Sequence, residues 1–146
     1  MIRSASDLIS LDNPNYQYVA ARLLLYSLRK SLYGRLWELP HLYDHITDCI
    51  EKDVYDADIL VKYTREEIET LNDVIDHGRD FIFTYAGLRQ VADKYLVQDR
   101  SSGKVYETPQ FMYLLIAMTI FADYPQETRL DYVTRYYTAI SKHRIN

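Results

Sequence analysis

Apolar residues recur every three to four positions along most of this chain, a spacing typical of helices that bury one face. The first long segment follows the break at Asp12-Asn13-Pro14 and predicts a helix from about Asn15 to Tyr33, ending at Gly34. Its apolar positions form two stripes, Tyr16, Val19, Ala20 and Leu23 on one side and Tyr18, Ala21, Leu25, Leu28 and Leu32 on the other. Arg22 and Arg29, seven positions apart, mark its predicted solvent side. The first ten residues predict the end of a preceding helix.

The same periodicity predicts shorter helices further along the chain. After Pro40, a helix carries Leu42, Ile46, Cys49 and Ile50 on one face. Thr64 and Glu67 have the spacing of a capping box, in which each side chain accepts from the other residue's backbone N–H. The helix that they open carries Ile68, Leu71 and Ile75, and another is predicted from about Tyr85 to Tyr95. Pro125 opens the last helix, with Leu130, Val133, Tyr137 and Ile140 at helical spacing.

A different pattern lies between residues 95 and 107. Two short segments, 95–100 and 104–107, flank Ser101-Ser102-Gly103, which predicts a β-hairpin. Thr108 then stands as an N-cap before Pro109 at the first helical position. The predicted fold class is therefore mainly α, a helical bundle with one small β-hairpin.

Composition narrows the class of protein. The chain has 146 residues, 48% of them hydrophobic and 26% charged, which is the balance of a globular domain that buries a core without disulfides. A net charge of -4 without a basic stripe argues against nucleic acid as a partner. Cys49 is the only cysteine, so an intrachain disulfide is excluded and a cytoplasmic location is favoured. The longest apolar run, 111–122, is too short to span a bilayer, and no signal peptide is recognisable, so we expect no membrane partner.

Two groups of ionisable residues are candidates for chemistry. His41 and His45 lie four apart with Asp44 between them, a spacing that can present two imidazoles to a metal ion. A third ligand is not evident, and capping or surface histidines are commoner, so no metal site is predicted. The segment from Asp76 to Asp80 could serve acid–base chemistry, but a helix-terminal turn tied by arginine–carboxylate pairs is favoured. Neither standard phosphate-binding glycine loop occurs in the sequence.

The basic segment Leu28-Arg29-Lys30 allows two interpretations. Both cations lie in the last turns of the first long helix, where they stabilise its negative end. Alternatively, Lys30 shares a face with Leu23 and Ser27 rather than with Arg22, and a lysine that faces packed structure could neutralise a bound phosphate. The pattern alone favours the first interpretation.

Several segments together resemble one family, the large (α) chain of class I ribonucleotide reductase. They occur in the family's order along essentially the whole chain: PNYQYVAARL (14–23), LRK (28–30), LYDH (42–45), IDH (75–77), KYLVQ (94–98), GKVYETPQF (103–111) and YPQETRL (124–130). The resemblance implies that residues 1–35 are a remnant of the ATP-cone's last helix with a connecting helix. It implies that residues 36–146 are the all-alpha N-terminal domain.

In this family the cone binds ATP or dATP and sets overall activity. Lys30 stands where the family has a lysine that contacts the effector phosphates, while Ser27 stands where a histidine is common. Most other nucleotide-binding residues of the cone would precede Met1. The resemblance therefore implies ATP or dATP binding through Lys30 only together with the rest of the cone, and no cofactor for this chain alone.

The family's reaction replaces the ribose 2′-hydroxyl of a nucleoside diphosphate by hydrogen, using a thiyl-radical cysteine and a further cysteine pair in a barrel. Cys49 matches none of these thiols, so we expect no catalytic residue in this chain. The implied partners are the catalytic barrel and the small radical-generating subunit. The first hypothesis is thus an N-terminal helical part of a ribonucleoside-diphosphate reductase large subunit, serving deoxyribonucleotide synthesis for DNA replication once joined to the barrel. The alternative is a stand-alone helical interaction module that modulates an intact reductase, and a self-sufficient enzyme comes third.

Overall fold

The computed structural model describes residues 15–34, 39–99 and 101–142. These residues form seven α-helices, one 3₁₀ helix and one two-stranded antiparallel sheet, so the predicted mainly α fold with a small hairpin is confirmed. The elements are α1 (Asn15–Tyr33), α2 (Leu42–Glu51), α3 (Asp58–Lys62), α4 (Arg65–Val74), the 3₁₀ helix (His77–Ile82), α5 (Tyr85–Lys94), β1 (Gln98–Asp99), β2 (Lys104–Val105), α6 (Pro109–Ile120) and α7 (Gln126–Ser141). The helix predicted within the first ten residues lies outside the described part of the chain.

Two of the predicted helix ends are formed by the expected local chemistry. Gly34 follows α1 with a φ of 72°, a left-handed conformation that suits glycine, and its N–H donates to the Lys30 carbonyl at 2.9 Å. At α4 the capping box is confirmed: Glu67 N donates to Thr64 Oγ1 at 3.2 Å, and Thr64 N donates to Glu67 Oε1 at 3.0 Å. Both ends are set by residues within a few positions of each other, which is why the sequence reveals them.

The chain divides into two compact units. In their described parts, the first unit holds α1 and residues 78–109, and the second holds residues 40–77 and 110–142. This grouping differs from the domain boundary predicted at residue 35, which stays a prediction.

In the first unit, α1 packs against α5. The buried apolar side chains are Ala20, Ala21, Leu24, Leu25, Phe83, Leu88, Ala92 and Leu96. In the hairpin, Gln98 pairs with Val105 and Asp99 with Lys104. The buried carboxylate of Glu107 accepts from Val97 N at 2.9 Å, and Tyr106 N donates to the Val97 carbonyl at 2.9 Å. These bonds close the base of a hairpin whose paired strands are only two residues long.

In the second unit, α4 packs against α2 and α7. The core side chains are Leu42, Ile46, Cys49, Tyr63, Ile68, Leu71, Phe111, Met112, Leu114, Ala117, Met118, Val133 and Tyr137. Tyr137 is fully buried, and its hydroxyl donates to Gln110 Oε1 at 2.6 Å and accepts from Asp76 N at 2.9 Å. Burying this tyrosine therefore leaves its hydroxyl hydrogen-bonded, as a buried polar group requires.

Three local expectations are wrong. Arg29, placed on the solvent side of α1 by its spacing, is only 3% exposed, whereas Tyr18 and Val19 of the predicted stripes are 46% and 49% exposed. The helix does begin at Pro109 as predicted, but the buried Thr108 hydroxyl has no hydrogen-bond partner in the described part of the chain, so it does not cap α6. Periodicity identifies a helix and its approximate faces, but a buried charged partner from another segment can turn a polar face inward.

Among the described residues, no helix has the length and apolar content needed to cross a membrane.

Candidate functional site

The C-terminal turns of α1 place two neighbouring cations in opposite environments. Arg29 is buried, and its Nη2 lies 3.7 Å from Oδ2 of Asp80, which is 1% exposed. Lys30 is exposed in the last turn of the helix. Since Ser27 is also exposed and Leu23 only half-buried, the face that Lys30 shares with them is not a packed one. In the structure Lys30 therefore faces solvent, and Arg29 faces packed structure instead.

The 3₁₀ helix supplies two contacts of Arg29. Besides Asp80, it places Phe81 so that the guanidinium carbons of Arg29 and of Arg22 each lie 5.2 Å from the ring centroid. Tyr26 meets the same ring edge-on at 6.0 Å. Asp80 of the Asp76–Asp80 segment thus pairs with an arginine, as the structural interpretation predicted, and this arginine comes from α1.

The two cations therefore have different roles. Arg29 is committed to Asp80 and Phe81, and its burial keeps it from a soluble anion. Lys30 presents an ammonium group to solvent at the end of a 19-residue helix. In the first unit, Lys30 is therefore the cation of this pair that can contact a phosphate brought by a ligand.

The predicted histidine pair is used in two other ways in the second unit. His41 is the N-cap of α2, where its Nδ1 accepts from Tyr43 N at 3.0 Å. His45 is 2% exposed and stacks on Phe111 at 4.0 Å between ring centroids and 5° between planes. Its Nε2 lies 2.9 Å from the Tyr55 hydroxyl, and Cys49 Sγ lies 3.9 Å from the same nitrogen. Within the described residues no group of three or more possible ligands gathers.

Burial determines the protonation of His45. Desolvation lowers its pKa from 6.5 to about 3, and the nearby His77 acts in the same direction. Asp48 raises the pKa but does not offset the loss of hydration. His45 is therefore neutral at physiological pH and packs as an aromatic ring against Phe111.

Comparison with known proteins identifies the fold. Residues 81–146 match the profile of the ribonucleotide reductase all-alpha domain. All 146 residues align at 49% identity with the ribonucleoside-diphosphate reductase subunit alpha of Haemophilus influenzae and with the ribonucleoside-diphosphate reductase 1 subunit alpha of Escherichia coli. The subunit alpha of Enterobacteria phage T4 is 44% identical over the same length.

The chain belongs to the ribonucleotide reductase large-subunit family. It covers 19% of the length of each of these relatives. The resemblance inferred from the short segments is confirmed, and the chain carries the family's N-terminal all-alpha domain.

Within the second unit of this ribonucleotide reductase segment lies a buried ionic network that the sequence did not reveal. Arg129 Nε donates to Glu67 Oε2 at 2.8 Å, and its Nη2 donates to Glu67 Oε1, so the pair is bidentate. The same guanidinium donates to the backbone carbonyls of Lys62 and Ala122. Its carbon also lies 4.5 Å from the centroid of the Tyr63 ring, whose hydroxyl donates to the Met118 carbonyl at 2.6 Å.

The network has a clear electrostatic signature. Hydrogen bonds from Arg129 hold the pKa of the Glu67 carboxyl below its usual value, and the Thr64 backbone N–H acts in the same direction. Burial raises the pKa of Tyr63 to about 12. All three side chains keep one protonation state near neutral pH, so the network is suited to holding the ends of α3, α4 and α6 together rather than to proton transfer. The capping box was the sequence signal for Glu67, but Arg129 lies 62 positions away.

Proposed function

We propose that this chain supports the reduction of ribonucleoside diphosphates to deoxyribonucleotides as the helical part of a ribonucleotide reductase large subunit. Its partners in this role are the catalytic barrel of the large subunit and the small radical-generating subunit, and the products serve DNA replication. One observation carries the proposal: identity near one half over every residue of the chain with proteins named ribonucleoside-diphosphate reductase subunit alpha.

The chain contributes no reacting group in this proposal. Its single cysteine, Cys49, is 2% exposed in the core of the second unit, beyond the reach of a bulky nucleotide substrate. The thiols that the family's reaction needs belong to the barrel. A chain with one buried thiol, working beside a thiol-dependent centre, suits the cytoplasm, where we place it.

The decisive experiment replaces the corresponding segment of the Escherichia coli subunit alpha by this chain. We expect the full-length chimera, assayed with the Escherichia coli small subunit, to reduce a ribonucleoside diphosphate within a few-fold of the parent rate. A second chimera carrying Arg129→Ala serves as the control, since it removes the buried network without touching any reacting group. A chimera that folds and assembles but has no turnover contradicts the proposal.

A second experiment, compared with the chimera, distinguishes this proposal from the alternative of a stand-alone module. The 146-residue chain is added in trans to the intact Escherichia coli reductase, and turnover is followed with increasing chain concentration. A saturable change in rate supports a modulating module, whereas no effect in trans together with activity of the chimera supports the part of a subunit.

Lys30 provides a more specific element of the proposal. We infer that, with the rest of the cone present, its exposed ammonium contacts an effector phosphate of ATP or dATP. A charge-assisted hydrogen bond contributes about 1.5–3 kcal/mol, so Lys30→Ala in the chimera should weaken dATP binding by roughly tenfold or more.

The matched control is Lys94→Ala, since Lys94 is also an exposed lysine in the last turn of a helix, α5. Binding is measured by equilibrium titration with dATP. Equal dATP affinities for the Lys30→Ala and Lys94→Ala chimeras argue against an effector contact at Lys30.

A further inference from the structure

Helix α6 has an unusual surface for a helix that is open on one side. Its sequence, PQFMYLLIAMTI, contains no charged residue. Phe111, Leu114, Ala117 and Met118 are fully buried, but Ile116 and Ile120, one turn apart, are 40% and 47% exposed. A helix on the surface of a domain normally carries polar or charged residues on its open face, and one that is apolar all round is normally covered. The exposed isoleucines therefore indicate a face that another structure covers.

Directly after α6 comes a cluster of four aromatic side chains. Phe121 lies 4.9 Å from Tyr124, 5.6 Å from Tyr132 and 5.8 Å from Tyr136, measured between ring centroids. Tyr124 and Tyr132 also pack edge-on against each other at 5.3 Å. Although the rings contact one another, Tyr124 remains 44% exposed and Tyr132 39%. The cluster is thus preassembled and still presents aromatic surface, which is the composition of the core of a protein interface.

We propose that Ile116, Ile120, Tyr124 and Tyr132, hereafter the α6 face, are the surface on which the remainder of the ribonucleotide reductase large subunit packs. This inference rests on the proposed function. The chain accounts for 19% of the length of its relatives, so most of the polypeptide that accompanies this segment in those proteins lies outside it. A segment within one long polypeptide buries its open apolar face against its neighbours in that polypeptide, since such a face is costly to leave in water.

The charges beside the α6 face argue against a second copy of this chain as the occupant. The side chains of Asp123 and Asp131 are 86% and 68% exposed, and Glu127 is exposed between them. Asp123 pairs with Lys62 at 3.0 Å, and Asp131 pairs with Arg135 at 2.8 Å. The guanidinium carbon of Arg135 also lies 5.0 Å from the Tyr132 ring centroid. In a two-fold symmetric contact the same patch meets itself, so three carboxylates and two cations would face their own copies at the rim, with a net negative charge on each side. Like charges in that position oppose association.

The test uses the full-length chimera, because there the proposed occupant is present. Tyr124 and Tyr132 are each replaced by the photoreactive residue p-benzoylphenylalanine, which keeps an aromatic ring at the site. The control is the same replacement at Tyr95, a tyrosine of the first unit that is 60% exposed. After irradiation without the small subunit, crosslinked peptides are identified by mass spectrometry.

We expect crosslinks from positions 124 and 132 to peptides of the same polypeptide outside the 146-residue segment. The control at position 95 should give no such crosslinks. Ile120→Asp, which places a charge in the α6 face, should abolish the crosslink from position 132. The matched Val61→Asp change, at a residue that is 81% exposed, should leave it intact. Products of doubled mass indicate a second copy as the occupant and overturn the inference. An absence of crosslinks in a chimera that turns over substrate overturns it as well.

Turnover of the chimera is measured before irradiation, so the two proposals fail separately. An inactive chimera that still gives the intramolecular crosslinks contradicts the proposed function and keeps the α6 face as a packing surface. An active chimera without crosslinks contradicts the α6 face alone.

Discussion

Arg29 and Arg129 are both buried arginines opposite buried carboxylates, yet the two units of this chain hold them differently. Arg29 is 3% exposed and approaches Asp80 at 3.7 Å, beyond hydrogen-bond distance, while its guanidinium lies over Phe81. Arg129 is 7% exposed and makes two hydrogen bonds to Glu67 and further ones to the carbonyls of Lys62 and Ala122. The Arg29 contacts thus include a charge pair and a ring, whereas Arg129 binds its carboxylate through two directed hydrogen bonds.

The difference matters because desolvating a charge is costly, and the pair recovers that cost only when geometry and hydrogen bonding are good. Arg129 meets this condition and in addition donates to the carbonyl of the last residue of α3, Lys62, and to that of Ala122 just after α6. The same guanidinium therefore joins three elements of the second unit. Arg29 holds the 3₁₀ helix against α1.

The largest expected effect is the loss of the Arg129 network. Arg129→Ala should lower the free energy of unfolding by about 4 kcal/mol, because it leaves the buried Glu67 carboxylate without its charged partner and two carbonyls without their donor. Urea denaturation followed by far-ultraviolet circular dichroism measures the loss. Arg135→Ala is the control, since the Arg135–Asp131 pair is an exposed contact one turn apart and should contribute nothing measurable. A smaller loss for Arg129→Ala than for Arg29→Ala would reverse the comparison.

Lysine substitutions sharpen the comparison without removing charge. Arg129→Lys should lower the free energy of unfolding by about 2 kcal/mol, since an ammonium cannot reproduce the bidentate geometry. Arg29→Lys should lower it by about 1 kcal/mol, mainly through weaker packing over Phe81, because a point charge can replace a contact at 3.7 Å. Both variants are measured in the same urea titration, and equal losses would show that hydrogen-bond geometry does not distinguish the two sites.

The two arginines also show how far the sequence can predict this structure. The capping box was predictable because Thr64 and Glu67 are three positions apart, and α1, α2, α5 and the hairpin followed from local periodicity and turn residues. Neither arginine could be assigned, because each partner comes from a distant segment. Seven-residue spacing placed Arg29 with Arg22 on one side of α1, but it could not reveal that Asp80 would meet that side.

The sequence indicated Lys30 as the candidate residue but did not reveal the environment of its side chain. Similarity to the reductase family selected Lys30 by position, whereas its exposure depends on which side of α1 the 3₁₀ helix covers. The α6 face was missed because the apolar run 111–122 predicts burial all round. A helix that is apolar on every side gives no sequence signal for the side that is left to a partner.

In the second unit, mild acid should lower stability through His45 while the Glu67–Arg129 ion pair stays intact. The folded protein binds a proton on His45 with a pKa of about 3, but the unfolded chain does so near 6.5. Between these values the unfolded state binds more protons, so stability is fully present above pH 6.5 and is lost as the pH falls. The loss amounts to about 1.4 kcal/mol per pH unit, or about 2 kcal/mol between pH 6.5 and 5, where the lowered pKa of Glu67 keeps the ion pair intact.

Urea titrations at several pH values measure this slope. His45→Gln should remove most of it, whereas His41→Gln should lower stability through loss of the α2 cap. An unchanged slope in His45→Gln would assign the acid sensitivity to other groups.

The smallest effect compares the two units at their threonine caps. Thr84 Oγ1 accepts from Gly87 N at 3.2 Å at the start of α5, where position 87 has no side chain to return the bond. Thr64 Oγ1 accepts from Glu67 N at the same distance, and Glu67 returns the bond while also holding Arg129. Thr64→Ala should therefore cost about 1.5 kcal/mol and Thr84→Ala about 0.7 kcal/mol of the free energy of unfolding. Thr64→Ser keeps the acceptor and should restore most of the loss. If Thr64→Ala costs no more than Thr84→Ala, Glu67 is held in place by Arg129 alone, and the cap and the ion pair of the second unit act independently.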